Sequence, residues 1–198
     1  MGGIIEDFMS VLGNDVSDQA SQKLGIGEDT MKQIIPQIAP LILGGLKKQK
    51  DEHGGAERVD HILNKYGSAS VLDNLSNLFE TKASDENPDP NLGGLLGNSG
   101  GGDAVNVLSN KFNIDSGSIM KLIPMLAPVL LGFLTKKRDQ EGLGSSGIAS
   151  LLDQDGDGSV IDDVAGFLLQ GMSESPSKKS SGGLLGGLLG GLLGGRRK

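Results

Sequence analysis

The sequence predicts an all-α protein made of two tandem copies of a small multi-helix unit, followed by a flexible Gly/Leu tail. Apolar residues recur at helical spacing in both halves, and no alternating strand pattern competes with them. The segment beginning at Lys23 aligns without a gap on the segment beginning at Lys111, an offset of 88 residues. The 33 glycines and 7 prolines among 198 residues predict much turn or low-complexity sequence between the helices.

The first helices of each copy follow from the spacing of their apolar side chains. In the first copy these residues are Ile4, Ile5, Phe8, Val11 and Leu12, then Val16, Ala20 and Leu24. In the second copy they are Ala104, Val107, Leu108 and Phe112. Residues three or four apart lie on one face of a helix, so these sets predict amphipathic helices that bury one side.

A long central helix follows in each copy, and its start is predicted near Glu28 and near Ser116. Each central helix contains two prolines four residues apart, and these lie in the strongest part of the internal match. The prolines are Pro36 and Pro40 in the first copy and Pro124 and Pro128 in the second. Because proline lacks a backbone N–H and crowds the preceding turn, we expect these helices to be kinked.

The last helix of each copy is predicted to open on a capping box. Ser70-x-x-Asp73 and Ser159-x-x-Asp162 place a hydroxyl and a carboxylate three residues apart, as a helix N-terminus favours. The predicted organisation is therefore a first helical repeat over 1–83, a Gly/Pro/Asn-rich linker over 84–102, a second helical repeat over 103–172 and a disordered tail over 173–198.

Composition and charge exclude several classes of function. Without cysteine there is no disulfide and no thiolate site, and with 3% aromatic residues there is no stacking platform for nucleic acid. Residues 1–177 carry a net charge of −12, which disfavours nucleic acid as a partner, whereas the basic end of the tail suits an anionic membrane surface. Glu6 and Asp7 interrupt any export signal, so a cytoplasmic protein is expected.

Three motifs together resemble a known bacterial family. They are the doubled Ile-Pro-x-(Ile/Leu)-Ala-Pro segment, the Leu-Gly-Gly-Leu-Leu-Gly runs and the Asp-rich segment that begins at Asp153. The chain is similar, over nearly its whole length, to the family known as domain of unknown function 937. The resemblance implies an all-α bacterial protein and supplies no activity.

The Asp-rich segment is the strongest chemical motif, and it predicts weak binding of Ca²⁺ as the one candidate cofactor. Carboxylates at loop positions 1, 3 and 5 and a carbonyl at position 7 are oxygen ligands that Ca²⁺ prefers, and Gly156 permits the sharp turn between them. Val164 stands at position 12, where a bidentate glutamate would close the sphere, so an acidic neighbour must substitute. The predicted metal ligands are Asp153, Asp155, Asp157, Ser159 and Asp163. An Asp/Gly turn whose acids favour a helix N-terminus is the alternative.

Residues 20–30 resemble a helix-turn-helix segment, which makes a DNA-binding protein one alternative function. The second helix of that segment begins with Glu28 and Asp29, which repel phosphates. Only Lys32 and Gln33 are available to contact bases. The helix-turn-helix geometry is therefore expected without DNA recognition.

No catalytic residues are predicted. The two histidines, His53 and His61, lie in a charged and exposed segment without a nucleophile at fixed spacing. The tail over 182–198 repeats Leu-Leu-Gly-Gly and ends in Arg-Arg-Lys, so a second alternative is a membrane-surface protein that binds through this tail. The favoured interpretation is a non-catalytic helical interaction or structural protein, whose partner is another protein or a second copy of itself.

Overall fold

The computed structural model describes the backbone of residues 3–85 and 100–153, with the side chains of all but residues 100–103. These ranges form seven α-helices and one 3₁₀ helix and contain no strand, which confirms the predicted all-α class. The elements are α1 Ile4–Leu24, α2 Glu28–His53, α3 Gly55–Tyr66, a 3₁₀ helix Ala69–Asp73, α4 Leu75–Ala83, α5 Gly100–Phe112, α6 Ser116–Gln140 and α7 Gly144–Leu152.

The two long helices begin at the predicted residues, Glu28 and Ser116. Each follows a short turn from the helix before it, and each turn starts with a left-handed residue: Gly25 has φ of 67° and Asn113 has φ of 52°. Glycine reaches this conformation without steric cost, and asparagine tolerates it better than most residues. Both turns therefore reverse the chain at the same point relative to the helix that follows.

Helix α6 forms the centre of the described fold. It contacts α1, α2, α3, α4, α5, α7 and the 3₁₀ helix, and every residue from Leu122 to Thr135 is buried. Among the described residues α6 is also the one helix long and apolar enough to cross a membrane, and 78% of its most apolar window is buried inside the fold. The core helix of a soluble protein meets the same criteria, so we interpret its apolar sequence as packing against the other helices.

Two glycines allow the chain after α3 to approach α6 closely. A Cβ atom on Gly67 would lie 2.7 Å from the carbonyl oxygen of Leu131, and one on Gly132 would lie 2.9 Å from the carbonyl oxygen of Ser68. Both contacts are with backbone atoms, which cannot rotate away. The absence of side chains at these two positions therefore sets the distance between the turn and the central helix.

Helices α2 and α6 continue through their prolines. Pro36 and Pro40 lie inside α2, and Pro124 and Pro128 lie inside α6. A proline in a helix interior removes one backbone hydrogen bond, so tertiary packing must offset its cost. The apolar residues around the prolines supply that packing, since Ile35, Ala39 and most of α6 are buried.

The predicted capping box at Ser70 is wrong. Ser70 and Asp73 lie in the 3₁₀ helix, and α4 begins two residues later at Leu75. Asn74 is the actual N-cap, because its side-chain oxygen accepts a hydrogen bond from the backbone N–H of Asn77 at 3.2 Å. The second predicted box, at Ser159 and Asp162, lies outside the described residues.

Candidate functional site

The structure describes one of the five predicted metal ligands. Asp153 is the last described residue and follows directly after α7. The other four, Asp155, Asp157, Ser159 and Asp163, lie outside the described residues. Within residues 3–85 and 100–153, no group of three or more His, Cys, Asp or Glu side chains could hold a metal ion.

Asp153 lies in a cluster of four charged residues, which we call the Asp153 cluster: Lys47, Lys50, Asp51 and Asp153. Lys50 donates a hydrogen bond to Oδ2 of Asp153, and the ammonium of Lys47 lies 3.3 Å from Oδ1. The same two lysines contact Asp51, at 2.7 Å from Lys47 and 3.3 Å from Lys50. The cluster therefore joins the last turns of α2 to the C-terminal end of α7.

The basic members of this cluster are the buried ones. The side chains of Lys47 and Lys50 are 8% and 10% exposed, whereas those of Asp51 and Asp153 are nearly half exposed. A buried ammonium requires an opposite charge nearby, and each lysine has two. The two lysines also stabilise Asp153. Its negative charge lies at the C-terminus of α7, where the helix dipole repels it, and the nearby ammonium groups offset that repulsion.

The pKa values of Lys47, Asp51 and Asp153 shift as their contacts require. The hydrogen bond from Lys50 holds the pKa of Asp153 below its usual value, with a further contribution from Lys47. The hydrogen bond to Asp51, followed by the one to Asp153, raises the pKa of Lys47 against the opposing effect of burial. The shifts favour the charged forms of Lys47, Asp51 and Asp153, as expected where opposite charges are paired.

A second cluster lies at the corresponding end of α6, and we call it the Asp60 cluster: Asp60, Arg138, Asp139 and Ser145. Arg138 donates from Nη1 to Oδ1 of Asp60 at 2.7 Å and from Nε to Oδ1 of Asp139 at 2.7 Å. The hydroxyl of Ser145, in α7, donates to Oδ2 of Asp60. The Ser145 hydrogen bond, and then the Arg138 contact, lower the pKa of Asp60.

The two clusters use residues at matching positions. Arg138 follows Lys50 by 88 residues and Asp139 follows Asp51 by 88, the offset of the sequence match. Lys50 of α2 contacts the end of α7, while Arg138 of α6 contacts α3. Each long helix thus sends a basic side chain to the short helix of the other half. This arrangement can hold the halves together electrostatically.

The two long helices differ in one buried polar residue near their C-terminal ends. Thr135 lies at the position of α6 that corresponds to Lys47 of α2, and it is 7% exposed. Its hydroxyl has no hydrogen-bond partner among the described residues. A buried hydroxyl without a partner costs free energy, whereas Lys47 is paired twice at the equivalent place.

The helix-turn-helix segment contains the two side chains considered for contacts with bases. Lys32 is paired with Glu28 at 2.6 Å, and the side-chain amide of Gln33 donates to the backbone carbonyl of Asp29. Both side chains considered for base contacts are thus used within α2. The histidines are exposed, as the sequence indicated.

The sequence did not reveal the two clusters. The informative signal was the repeated basic-acidic pair, Lys50-Asp51 and Arg138-Asp139, inside the internal match. The partners Asp153 and Asp60 are 103 and 78 residues away along the chain. Pairs so distant require the tertiary structure to be identified.

Comparison with known proteins gives a family and no activity. The family model described as bacterial protein of unknown function (DUF937) matches residues 6–137, which extend from α1 into the last turn of α6. The Asp-rich segment and the Gly/Leu tail lie beyond that match. No curated protein and no solved structure matches the chain. Because the matched residues make up more than half of the sequence, the chain belongs to the bacterial family of unknown function DUF937.

Proposed function

We propose that the protein is a non-catalytic helical interaction or structural protein whose second half is stabilised by weakly bound Ca²⁺. The non-catalytic part of this proposal rests on the contacts of the charged residues. Every described residue whose pKa is shifted has a structural partner, in an ion pair or at a helix cap; these residues are Lys32, Lys47, Asp51, Asp60, Asp115, Lys137, Arg138, Asp139 and Asp153. Shifted pKa values often mark catalytic sites, but here packing contacts account for each of them.

The calcium proposal rests on the Asp-rich sequence and on the helix before it. Helix α7 ends at Leu152, and Asp153 follows directly at the start of the Asp-rich segment, as the first ligand follows the helix that precedes a calcium loop. The test is to measure Tm of the full chain with Ca²⁺ and with Mg²⁺, each at millimolar concentration. We expect Ca²⁺ to raise Tm more than Mg²⁺, because Mg²⁺ requires a stricter octahedron and releases water reluctantly.

Variants of the loop make this test specific. Asp155→Ala combined with Asp157→Ala should abolish the Ca²⁺ effect while leaving every residue of the Asp153 cluster in the sequence. Val164→Glu should strengthen the Ca²⁺ effect by supplying the ligand at position 12. Asp15→Ala, an exposed aspartate in α1, is the control for a lost negative charge. No heat in calorimetry and no thermal shift at millimolar Ca²⁺ would contradict the proposal.

We also propose that the two halves are copies of one unit, with kinked central helices. The hydroxyl of Ser21 donates to the carbonyl of Ile26, and that of Ser109 donates to the carbonyl of Ile114, the same contact at an offset of 88. The turns after the long helices also correspond. They contain left-handed glycines at Gly54 and Gly55 in the first half and at Gly142 and Gly144 in the second. Gly142 follows Gly54 by 88 residues and Gly144 follows Gly55 by 89, which supports one inserted residue at this turn of the second copy.

The interaction partner is proposed to be another protein or a second copy of the chain, in the cytoplasm. Affinity capture from a bacterial lysate with the full chain, compared with a chain that ends at residue 181, tests whether the tail recruits it. Light scattering on both chains measures self-association. Flotation with anionic vesicles that depends on residues 182–198 would instead assign the tail to a membrane surface.

A further inference from the structure

We propose that Lys47 and Lys50 antagonise cation binding at Asp153, so that calcium binding is coupled to the contact between α2 and α7. The inference rests on the proposed calcium binding and concerns its first ligand. Both carboxylate oxygens of Asp153 are already engaged, Oδ2 by Lys50 and Oδ1 by Lys47 at 3.3 Å. A cation that takes this carboxylate must therefore replace an ammonium group or bind beside both of them.

Electrostatic repulsion makes the binding of a cation at Asp153 costly. A divalent cation bound at Asp153 would lie within a few ångströms of two positive charges, and the repulsion is weakly screened because both lysine side chains are about nine-tenths buried. The lysines have little freedom to move away, since their aliphatic stems are packed against the fold. The lysines therefore lower the affinity of Asp153 for any cation.

The cluster also contains the means to release Asp153. Asp51 contacts both lysines, at 2.7 and 3.3 Å, so each ammonium keeps one carboxylate partner when Asp153 turns to a metal ion. No buried charge is left unpaired by the exchange. Binding is thus weakened by the lysines rather than prevented, and it removes an electrostatic contact between the end of α7 and α2.

The coupling is reciprocal. If the lysines oppose calcium through Asp153, then calcium must oppose the contacts of the lysines with Asp153 by the same factor. The two halves of the chain meet at this contact, because α2 belongs to the first half and α7 to the second. Calcium would therefore act on the junction between the halves as well as on the Asp-rich segment.

The test is calorimetric titration of the full chain with CaCl₂. Lys50→Met removes the charge while keeping an apolar stem of similar length, and we expect it to tighten Ca²⁺ binding about fivefold. Lys48→Met is the matched control: it makes the same change of net charge in the same helical turn, but Lys48 is 46% exposed and lies 3.9 Å from Glu52. Its affinity for Ca²⁺ should stay within about twofold of the wild-type value.

A charge-retaining variant separates the electrostatic effect from a disturbed fold. Lys50→Arg should leave the affinity near that of the wild type, and thermal melts without calcium should show all variants folded. Equal affinities for the wild type, Lys50→Met and Lys48→Met would overturn the inference while leaving calcium binding intact. Absence of binding in every variant, Val164→Glu included, would remove the proposed calcium binding and this inference with it.

Discussion

At the scale of single residues, the close approach of the turn after α3 to α6 depends on two missing side chains. Gly67 and Gly132 bring the turn after α3 against the backbone of α6, and neither has room for a Cβ atom. We expect Gly67→Ala and Gly132→Ala each to lower the free energy of unfolding by about 1–3 kcal/mol, because the backbone must shift. Gly27→Ser is the control, since the nearest atom to a Cβ there is 3.8 Å away and serine is favoured at the N-cap position that Gly27 occupies. Urea denaturation of the three variants measures the difference, and a Gly132→Ala variant as stable as Gly27→Ser would contradict the packing argument.

Asp60 should make the stability depend on pH in the acid range. Its pKa is lowered in the folded protein, first by Ser145 and then by Arg138, so the folded state holds fewer protons there than the unfolded state. The stabilisation is present above the unfolded pKa of about 3.9 and is lost as the pH falls through the lower folded value.

The corresponding measurement is Tm at intervals between about pH 5 and pH 2. Asp60→Asn should reduce Tm at neutral pH and flatten its decline in acid, because the group that loses its charge has been removed. Asp15→Asn, in which the replaced carboxylate is exposed, should leave the slope as it is in the wild type. Parallel curves for the wild type and Asp60→Asn would show that this contact does not contribute to the acid dependence.

At the scale of elements, the two long helices begin differently and should respond differently to substitution. The carboxylate of Asp115 caps α6 by accepting from the backbone N–H of Ser118 at 2.9 Å, whereas Gly27 precedes α2 without a side-chain cap. Asp115→Ala should cost about 1 kcal/mol of stability, and Gly27→Asp should add a few tenths of a kcal/mol by supplying a cap. Chemical denaturation measures both changes. A loss for Gly27→Asp would contradict the argument that α2 lacks only the acceptor.

Local sequence predicted the helices well because their signals are local. The starts of α2 and α6 follow from residues within one turn of each start, and the apolar spacing identified α1 and α5. The start of α4 was misplaced because two short polar stretches compete there, and Asn74 rather than Ser70 supplies the cap. The ion pairs of Asp153 and Asp60 could not be predicted, since their partners come together only when the halves pack.

At the scale of the whole molecule, the central position of α6 predicts that the described helices unfold together. Helix α6 contacts both α1 and α4 of the first half as well as α5 and α7 of its own half. A chain limited to residues 1–90 lacks α6 and exposes the apolar faces that it covers. We expect this fragment to show no cooperative transition at the Tm of the full chain, as followed by circular dichroism. Cooperative melting of the fragment at that temperature would show that the first half is independent.

The difference between Lys47 and Thr135 means that the two halves are not interchangeable. In a chain assembled from two first halves, a second lysine would occupy the buried place of Thr135, and Asn64 would stand where Asp153 now follows the short helix. Lys47 would then keep Asp51 but lose the carboxylate of Asp153, which weakens the contact between the halves. A chain built from two first halves should therefore be less stable than the natural chain, because its buried lysines would share fewer carboxylates.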